Sequence, residues 1–321
     1  MMLDLSILIV TWNQKELVEK CLRSIFTSSP KIQFEVIVVD NASTDGTQDM
    51  IHQQFPEVVL IQNDKNIGYG PAHNRAFHVS RGRCLLVLNN DVTMTPGTLE
   101  GMMDYIDKHP DVGLVGGQSR FPSGAFQPSA NHRFPNLWDV FFEEIFFSKS
   151  LKYTFLKTRF GASCSALLWN LNQPHSVAWV GGACMLVRRR AVDQVGFFDE
   201  HFFFYREDCD FCLRLKEAGW KVVYDPRYFF IHERGASTQK NARKVTLESR
   251  RSLLYYFLKH KGRFGFWMAK CILLSGLWLR YFLFSMSGVL GKKDKGRLHL
   301  LKEMISIFGK MKDPSLEFQS D

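Results

Sequence analysis

Short runs of aliphatic and β-branched residues, at 5–10, 36–39, 58–61 and 85–88, alternate with stretches of helical spacing along the first part of the chain. The clearest helical stretch covers 14–26, where Leu17, Cys21, Leu22 and Ile25 share one face and charged residues the other. Strand and helix alternating in this way predict a mostly parallel sheet covered on both sides, with right-handed crossovers. From Gln118 to His175 the alternation is lost to Phe, Pro, Ser and Asn, which predicts an irregular insertion of the kind that carries substrate loops. Regular patterning returns at 179–187. Helical spacing follows at 190–195 and 208–218, the second stopped by Gly219. Val222-Val223-Tyr224 reads as a final short strand before Asp225-Pro226.

Beyond Arg234 the character changes. Residues 245–260 read as a helix around an apolar Leu-Leu-Tyr-Tyr-Phe-Leu run, and 264–290 is intensely apolar, interrupted by Lys270 and Arg280. A boundary is therefore expected near 235, separating a catalytic domain, 1–235, from a helical extension, 236–321. The longest charge-free windows of the apolar stretch, 271–279 and 281–291, fall short of the roughly 18–20 residues a spanning helix needs. Lys270 and Arg280 lie about 80° apart on a helical wheel, so both fit one polar side. Basic residues flank both ends: Lys259, Lys261 and Arg263 before, Lys292, Lys293, Lys295 and Arg297 after. With Trp267, Trp278 and Tyr281 at interfacial positions, this pattern predicts a segment lying in the cytoplasmic leaflet, and a protein peripheral on the inner face of the cell membrane.

Charge sharpens that division. Residues 1–233 carry 23 Lys and Arg against 26 Asp and Glu, whereas 234–312 carry 18 against three, so a net charge of +9 conceals a basic segment of +15. Such a segment is drawn to phosphate-rich surfaces. A nucleic-acid partner would account for the basic tail but not for the acidic strand ends, so none is expected. Seven scattered cysteines do not form a disulfide framework, and the start Met1-Met2-Leu3-Asp4 lacks a secretory pattern, which points to a reducing cytoplasm.

The chemistry gathers where apolar runs end. Asn89-Asn90-Asp91 closes one buried run and Asp40-Asn41 another, and Glu207-Asp208-Cys209-Asp210 opens a helix downstream. Oxygen ligands at strand ends suit a hard divalent cation holding phosphates, and the ends of strands in open α/β sheets are where nucleotides bind. Cys209 and Cys212 have a zinc-like spacing, but within one helix and without a second pair they read as small buried residues.

Taken in order, Ile9-Val10-Thr11-Trp12-Asn13, Val39-Asp40-Asn41-Ala42-Ser43-Thr44-Asp45-Gly46, Asn66-Ile67-Gly68-Tyr69-Gly70, Asn89-Asn90-Asp91, Trp179-Val180-Gly181-Gly182, Gly196-Phe197-Phe198-Asp199-Glu200 and Glu207-Asp208-Cys209-Asp210 resemble the family 2 glycosyltransferases. The nearest subgroup is the bacterial rhamnosyltransferase-like one, and the resemblance runs from residue 3 to about 260. It implies an α/β GT-A fold, a mostly parallel sheet flanked by helices. It also implies a nucleotide-diphospho-sugar donor, a divalent metal (Mg²⁺ or Mn²⁺) and inverting transfer to a glycan or lipid-linked acceptor in cell-envelope polysaccharide synthesis. The sugar suggested by the subgroup is rhamnose from dTDP-rhamnose. A UDP-sugar enzyme of the same fold and a donor-binding pseudoenzyme are the alternatives.

By that resemblance Thr11, Asn13, Asp40, Asn41, Asn66, Gly68, Arg75 and Asn90 bind the nucleotide sugar, Asp40 by accepting a hydrogen bond from the pyrimidine. Asp91 binds the metal and His232 completes its shell, although a core histidine fits position 232 equally. A surface arginine fits position 75 as well as a phosphate ligand does, and Asp45-Gly46 reads as a turn or helix cap. The family's D-x-D pattern is broken by Asn89, leaving one charged ligand fewer. Asp208 is the expected general base, with Glu207 orienting it or binding the acceptor, while Asp210 suits a helix-dipole role. The Q-x-x-R-W segment of processive synthases is absent, which implies addition of a single sugar.

Overall fold

The computed structural model describes residues 3–28, 31–145, 173–233, 242–290 and 295–315. Most of the expected insertion, the neighbourhood of the boundary near 235, and Lys292 and Lys293 lie outside these residues. The chain divides into two compact units. One comprises Met1–Phe134, Thr158–Phe203 and Glu207–Lys240, the other Pro135–Lys157, Phe204–Arg206 and Asn241–Asp321.

In the first unit, β1 (Leu5–Thr11), β2 (Phe34–Asp40), β3 (Val59–Gln62) and β4 (Cys84–Asn89) form the parallel half of a sheet in the order β3-β2-β1-β4. Helices α1 (Lys15–Ser28), α2 (Thr47–Gln54) and α3 (Tyr69–Val79) make the crossovers. The sheet then turns mixed. It continues through β11 (Cys184–Arg188), β6 (Val112–Arg120), β12 (Lys221–His232) and β5 (Val92–Met94), with β11 antiparallel to both neighbours. Helix α4 (Thr98–Lys108) links β5 to β6, and the short pairs β7 (Phe126–Gln127) with β6 and β9 (His175–Ser176) with β12 extend the rim. β8 (Ala130–Asn131) pairs β10 (Trp179–Val180) apart from the main sheet. Helices α6 (Arg189–Val195) and α7 (Glu207–Glu217) complete the unit.

The strands read as continuous apolar runs because both faces are covered. Ile7, Ile9, Val36, Val38, Leu86 and Leu88 pack on one side with Val18, Cys21, Leu22 and Ile25 of α1. Leu8, Ile37, Val39, Leu85 and Val87 pack on the other with Ala72 and Ala76 of α3 and Phe211 and Leu215 of α7. All of these are essentially inaccessible, and burying each large aliphatic side chain contributes roughly 1.5–3 kcal/mol. Gly219 ends the α7 segment at φ +89°, a conformation glycine adopts without a Cβ penalty. The final strand is longer than Val222-Val223-Tyr224. It runs through Asp225-Pro226 to His232, because a register shift between Asp225 and Phe229 absorbs the proline that would otherwise interrupt the ladder.

The second unit contains α5 (Leu137–Ile145), α8 (Ala242–Leu290) and α9 (Lys295–Lys310). Gly262, at φ +65° and ψ −172°, breaks α8 into two helical segments. Helix α5 falls within the stretch expected to be irregular. Its Glu144 carboxylate is 1% exposed and is shared by two guanidinium groups of α8: Arg250, at 2.9 Å, and Arg280 on the other oxygen. Lys270 is also buried and donates to the carbonyls of Gly309 (3.0 Å) and Met311 (2.6 Å), at the C-terminal end of α9. The two charges expected on a headgroup-facing polar side are instead committed to protein partners. From Phe264 onward the exposed face of the second segment of α8 is left without charge: Phe264, Trp267 with Met268, Cys271, Ser275, Trp278, Phe282 and Met286 line it at helical spacing.

Glu144→Ala would leave Arg250 and Arg280 facing each other without the carboxylate between them. Removing one member of a buried ion cluster costs about 3–5 kcal/mol. Urea unfolding followed by helical circular dichroism should show a loss of that size, against which a change under 1 kcal/mol would mean that the cluster is structurally idle.

Candidate active site

The carboxyl edge of the parallel strands collects the polar residues. Register sets Thr11 beside Asp40 and Val10 beside Asn89. Asp40 is fully buried. Its Oδ2 accepts from the backbone N–H of Ser43 (2.8 Å) and from Gln48 Nε2 (2.7 Å), while Oδ1, also buried, has no hydrogen-bond partner among the described residues. The Thr11 hydroxyl accepts from the Asn90 amide at 3.0 Å, locking the ends of β1 and β4 together. Asn13, at φ +51°, has its side-chain oxygen on Thr44 N–H (2.7 Å) and its own N–H on Ser43 Oγ (2.8 Å). Asn41 donates to the Gly68 carbonyl (3.1 Å) and accepts from Asn63 (2.7 Å), whose own amide oxygen accepts from Arg75. Asn66 closes a turn by accepting from Gly68 N–H at 3.0 Å. Gly68 sits at φ +96°, where a Cβ would stand 2.7 Å from the Phe203 carbonyl oxygen, so only glycine fits. The amides of Asn41 and Asn66 thus shape the rim, and Asp40 keeps a free acceptor in it. Asp45 accepts from the N–H (3.2 Å) and hydroxyl of Thr47 in a turn that precedes α2, whose N-cap is Gly46.

A second cluster joins the two ends of the chain segment between β4 and β12. His232 pairs with Val92 across the β5–β12 ladder, which carries its Nε2 to 3.1 Å from Asp91 Oδ1. Both side chains are about nine-tenths buried. The other ring nitrogen, Nδ1, lies 3.0 Å from Gln127 Oε1 and donates to it, since an amide oxygen only accepts. Gln127 Oε1 is itself held by the Ser119 hydroxyl at 2.5 Å. With Nδ1 donating to Gln127, Nε2 is the ring atom turned towards the Asp91 carboxylate. Two electron-rich atoms at that separation need a cation or a proton between them. A histidine whose far nitrogen donates to an amide oxygen is also how metal-ligating imidazoles are oriented. Asp91 and His232 fit a divalent cation completed by phosphate oxygens and water. Among the described residues no group of three His, Cys, Asp or Glu side chains is placed to hold a metal unaided.

The third cluster stands at the start of α7. The Asp208 carboxylate, partly exposed, accepts from Gly182 N–H (3.0 Å) and from Cys209 N–H (2.7 Å). Glu207 beside it is buried, and Tyr205 and Arg206 before it both lie in the left-handed region, at φ +68° and +75°. Such conformations cost of order 1–3 kcal/mol each and concentrate at functional sites. Burial, and after it the negative field of Glu207, Asp208 and Asp91, hold the Tyr69 phenol protonated, well above its ordinary range. Asp210 is not among them. Fully buried, it pairs with Arg214 at 2.9 Å, and Arg214 in turn binds the carbonyls of Val195, Gly196 and Phe197.

Residues 6–170 match the family model for glycosyl transferase family 2. The chain is 31% identical over 280 residues to an N-acetylglucosaminyl-diphospho-decaprenol L-rhamnosyltransferase of Mycobacterium tuberculosis, covering 83% of this chain and 87% of that protein. The chain belongs to glycosyltransferase family 2. It is also 28% identical, over 74% of its length, to an O-antigen biosynthesis protein RfbC of Myxococcus xanthus, of which the match covers 18%. In structure it resembles the mannosyltransferase PcManGT of Pyrobaculum calidifontis, solved with GDP-Man and Mn²⁺. The TM-score is 0.55 and the identity 16%, covering 100% of this chain and 89% of that one. That likeness establishes the GT-A fold.

In this glycosyltransferase Cys209 and Cys212 are buried thiols on one helix, and burial pushes Cys212 up to about 12. The sequence reading missed two side chains that the geometry brings into the site. Gln127 sits on a two-residue strand without periodic signal, and its contact with His232 spans 105 positions. Tyr69 lies inside the quoted Asn66–Gly70 motif, but nothing local shows that its hydroxyl reaches Asn89 at the end of β4 and Gly182 just before β11.

Proposed function

We propose that this glycosyltransferase adds one L-rhamnosyl residue, with inversion, from dTDP-L-rhamnose to a hydroxyl of a prenyl-diphosphate-linked sugar. The observation that carries the reading is the Asp91–His232 pair, 3.1 Å apart just past the end of β4, at the sheet edge that also holds the Asp40 carboxylate, whose Oδ1 has no partner among the described residues. The named activity of the mycobacterial relative supplies the sugar and the lipid-linked acceptor. Asp40 Oδ1 accepts the imide N–H of the thymine ring, with the rim of Asn13, Asn41, Asn66, Gly68, Arg75 and Asn90 around it. Asp208 accepts the proton of the acceptor hydroxyl as that oxygen bonds to the anomeric carbon. The bond from that carbon to the donor phosphate breaks, and the electron pair leaves on the diphosphate. Glu207 orients the acceptor. Asp91 and His232 would hold the Mg²⁺ or Mn²⁺ ion, which when bound neutralises charge on the leaving diphosphate.

The exposed stripe from Phe264 to Met286 is a bilayer-contact face, supported by the exposed Lys259, Lys261 and Arg263 preceding it and by the basic balance of the whole segment. The helix spanning Arg243–Met286 is long and apolar enough to cross a membrane. Its opposite face, however, is committed to Glu144 and to the end of α9, which favours an in-plane position and a peripheral protein at the inner face of the membrane.

The donor reading is tested by the rise in melting temperature with dTDP-, UDP- and GDP-sugars in the presence of Mn²⁺. The dTDP-sugar should give the largest shift, and a clear preference for a UDP-sugar would replace it. Asp91→Ala should keep the fold but lose both transfer and the Mn²⁺-dependent part of that shift. Full activity of this variant, or of the wild type in EDTA, rejects the metal role. Asp208→Asn should bind donor normally while turnover drops about 10²–10⁴-fold, the range for loss of a general base. Near-normal turnover would move the role to Glu207. For the bilayer face, the triple variant Phe264→Glu, Trp278→Glu, Phe282→Glu should stop co-sedimenting with phosphatidylserine vesicles, and alkaline carbonate should extract the wild type. Unchanged sedimentation refutes the face, and carbonate-resistant retention would mean a span.

A further inference from the structure

Asn89 occupies the position of the first aspartate in the pattern to which Asn89-Asn90-Asp91 is compared, yet its side chain is engaged elsewhere. The Tyr69 hydroxyl lies 3.0 Å from the Asn89 side-chain amide and 2.7 Å from the Gly182 carbonyl oxygen. Asn89 N–H donates to the Ala183 carbonyl at 2.9 Å, so β4 holds the Gly182–Ala183 corner from the backbone as well. Gly182 N–H, on the other side of the same α-carbon, is the donor to Asp208 Oδ2. Four groups therefore form one line: the Asn89 amide, the Tyr69 hydroxyl, the Gly182 backbone and the Asp208 carboxylate. We infer that Asn89 and Tyr69 are positioning residues, which fix the backbone of Gly182 so that its N–H aims the Asp208 carboxylate, and that Asn89 is not a metal ligand.

Proton counting explains why position 89 carries an amide. A phenol has a single hydrogen, and here two neighbours want it. If it goes to the nearer Gly182 carbonyl, Asn89 satisfies the phenolic oxygen by turning its NH₂ towards it. As placed here the amide presents Oδ1 to the hydroxyl at 3.0 Å, and turned over it presents NH₂ instead, so it can serve the phenol as acceptor or as donor. A carboxylate at 89 has no hydrogen to offer and would compete with Gly182 for the one on Tyr69. Burial and the surrounding acids keep the Tyr69 hydroxyl protonated, so it remains a donor.

The corner also depends on outside support. Gly181 and Gly182 have no side chains to restrict their backbone, and a Cβ on Gly182 would stand 3.1 Å from the Tyr69 oxygen and crowd it. What orients the pair is the bond from Gly181 N–H to the Ser129 carbonyl (2.7 Å) on one side and the Tyr69 hydroxyl on the other. The Tyr69 ring itself is held independently, 4.2 Å from the His73 ring. His73 is buried, and burial pushes it down to about 4, so it stays a neutral packing partner. Tyr69→Phe therefore removes the hydroxyl and leaves the packing.

The inference rests on the proposed roles of Asp91 and Asp208, and two of its three arms need no sugar substrate. In protein labelled with ¹⁵N and ¹³C′ glycine, the Gly181–Gly182 amide is followed by hydrogen exchange. Tyr69→Phe should raise its exchange rate at least about 10-fold with an unchanged melting temperature. Mn²⁺ binding in the presence of dTDP, read by electron paramagnetic resonance, should be unaltered in Asn89→Asp. Turnover with dTDP-L-rhamnose and an N-acetylglucosaminyl diphosphate lipid should fall about 10- to 100-fold in both variants with donor KM little changed, the signature of misaligned chemistry. Unchanged Gly182 exchange, or faster exchange with normal turnover, overturns the positioning role. Tighter Mn²⁺ binding in Asn89→Asp overturns the claim that 89 is no ligand position. If dTDP fails to bind the wild type, the donor reading falls, while the exchange result still decides the network.

Discussion

The parallel ladder that sets Thr11 against Asp40 and Val10 against Asn89 obliges β1, β2 and β4 to release their first polar residues at the same edge. In a parallel sheet every strand points the same way, so all the strand-end loops emerge on one side, and apolar cover on both faces fixes the register. Slipping β2 by one residue would turn Ile37 and Val39 to the opposite core and carry Asp40 away from the edge. The catalytic geometry is therefore held by the same contacts that hold the fold. Loss of packing at Leu86 or Val38 would reach the site as a displaced carboxylate.

A second constraint brings in residues from far along the chain. β12 runs parallel to β6 up to Asp225, shifts register, and resumes at Phe229 with β6 on one side and, from Phe230, β5 on the other, which delivers His232 to Asp91. Asp225 is fully buried, and its carboxylate accepts from the backbone and the guanidinium of Arg227, so the irregular stretch costs no unsatisfied charge. The shift is what allows a strand interrupted by Pro226 to carry a histidine past it. At α7, consecutive left-handed residues deliver Glu207 and Asp208 to a helix start. There the backbone N–H of Cys209 and the glycine corner at 182 supply the hydrogen bonds of the carboxylate.

How much of this is legible in the chain follows from how local each cause is. The strands over 5–11, 34–40 and 84–89 announce themselves because burial on both faces demands unbroken apolar runs, and α1 does so through its periodic face. The polar residues at their ends are legible for the same reason. The clusters that bind them together are not. The Asp91–His232 contact depends on a register shift, the Gln127–His232 bond spans 105 positions, and the Tyr69 hydroxyl meets a glycine corner more than a hundred residues away. Lys270 and Arg280 mislead in the same manner. On a wheel they suit a headgroup-facing side, but their partners, the Met311 carbonyl and Glu144, are 41 and 136 positions distant. Their inward commitment moves the charge off the exposed face and leaves it apolar.

The central claim is that Asp91 and His232 share a divalent cation with a nucleotide diphosphate whose base is read by Asp40. Crystals grown with dTDP and Mn²⁺ and measured at the manganese absorption edge test it directly. The account predicts one anomalous peak within coordination distance of both Asp91 and His232, touching the diphosphate, with the thymine against Asp40. A peak bound to neither side chain, or nucleotide density with the base away from Asp40, would contradict it.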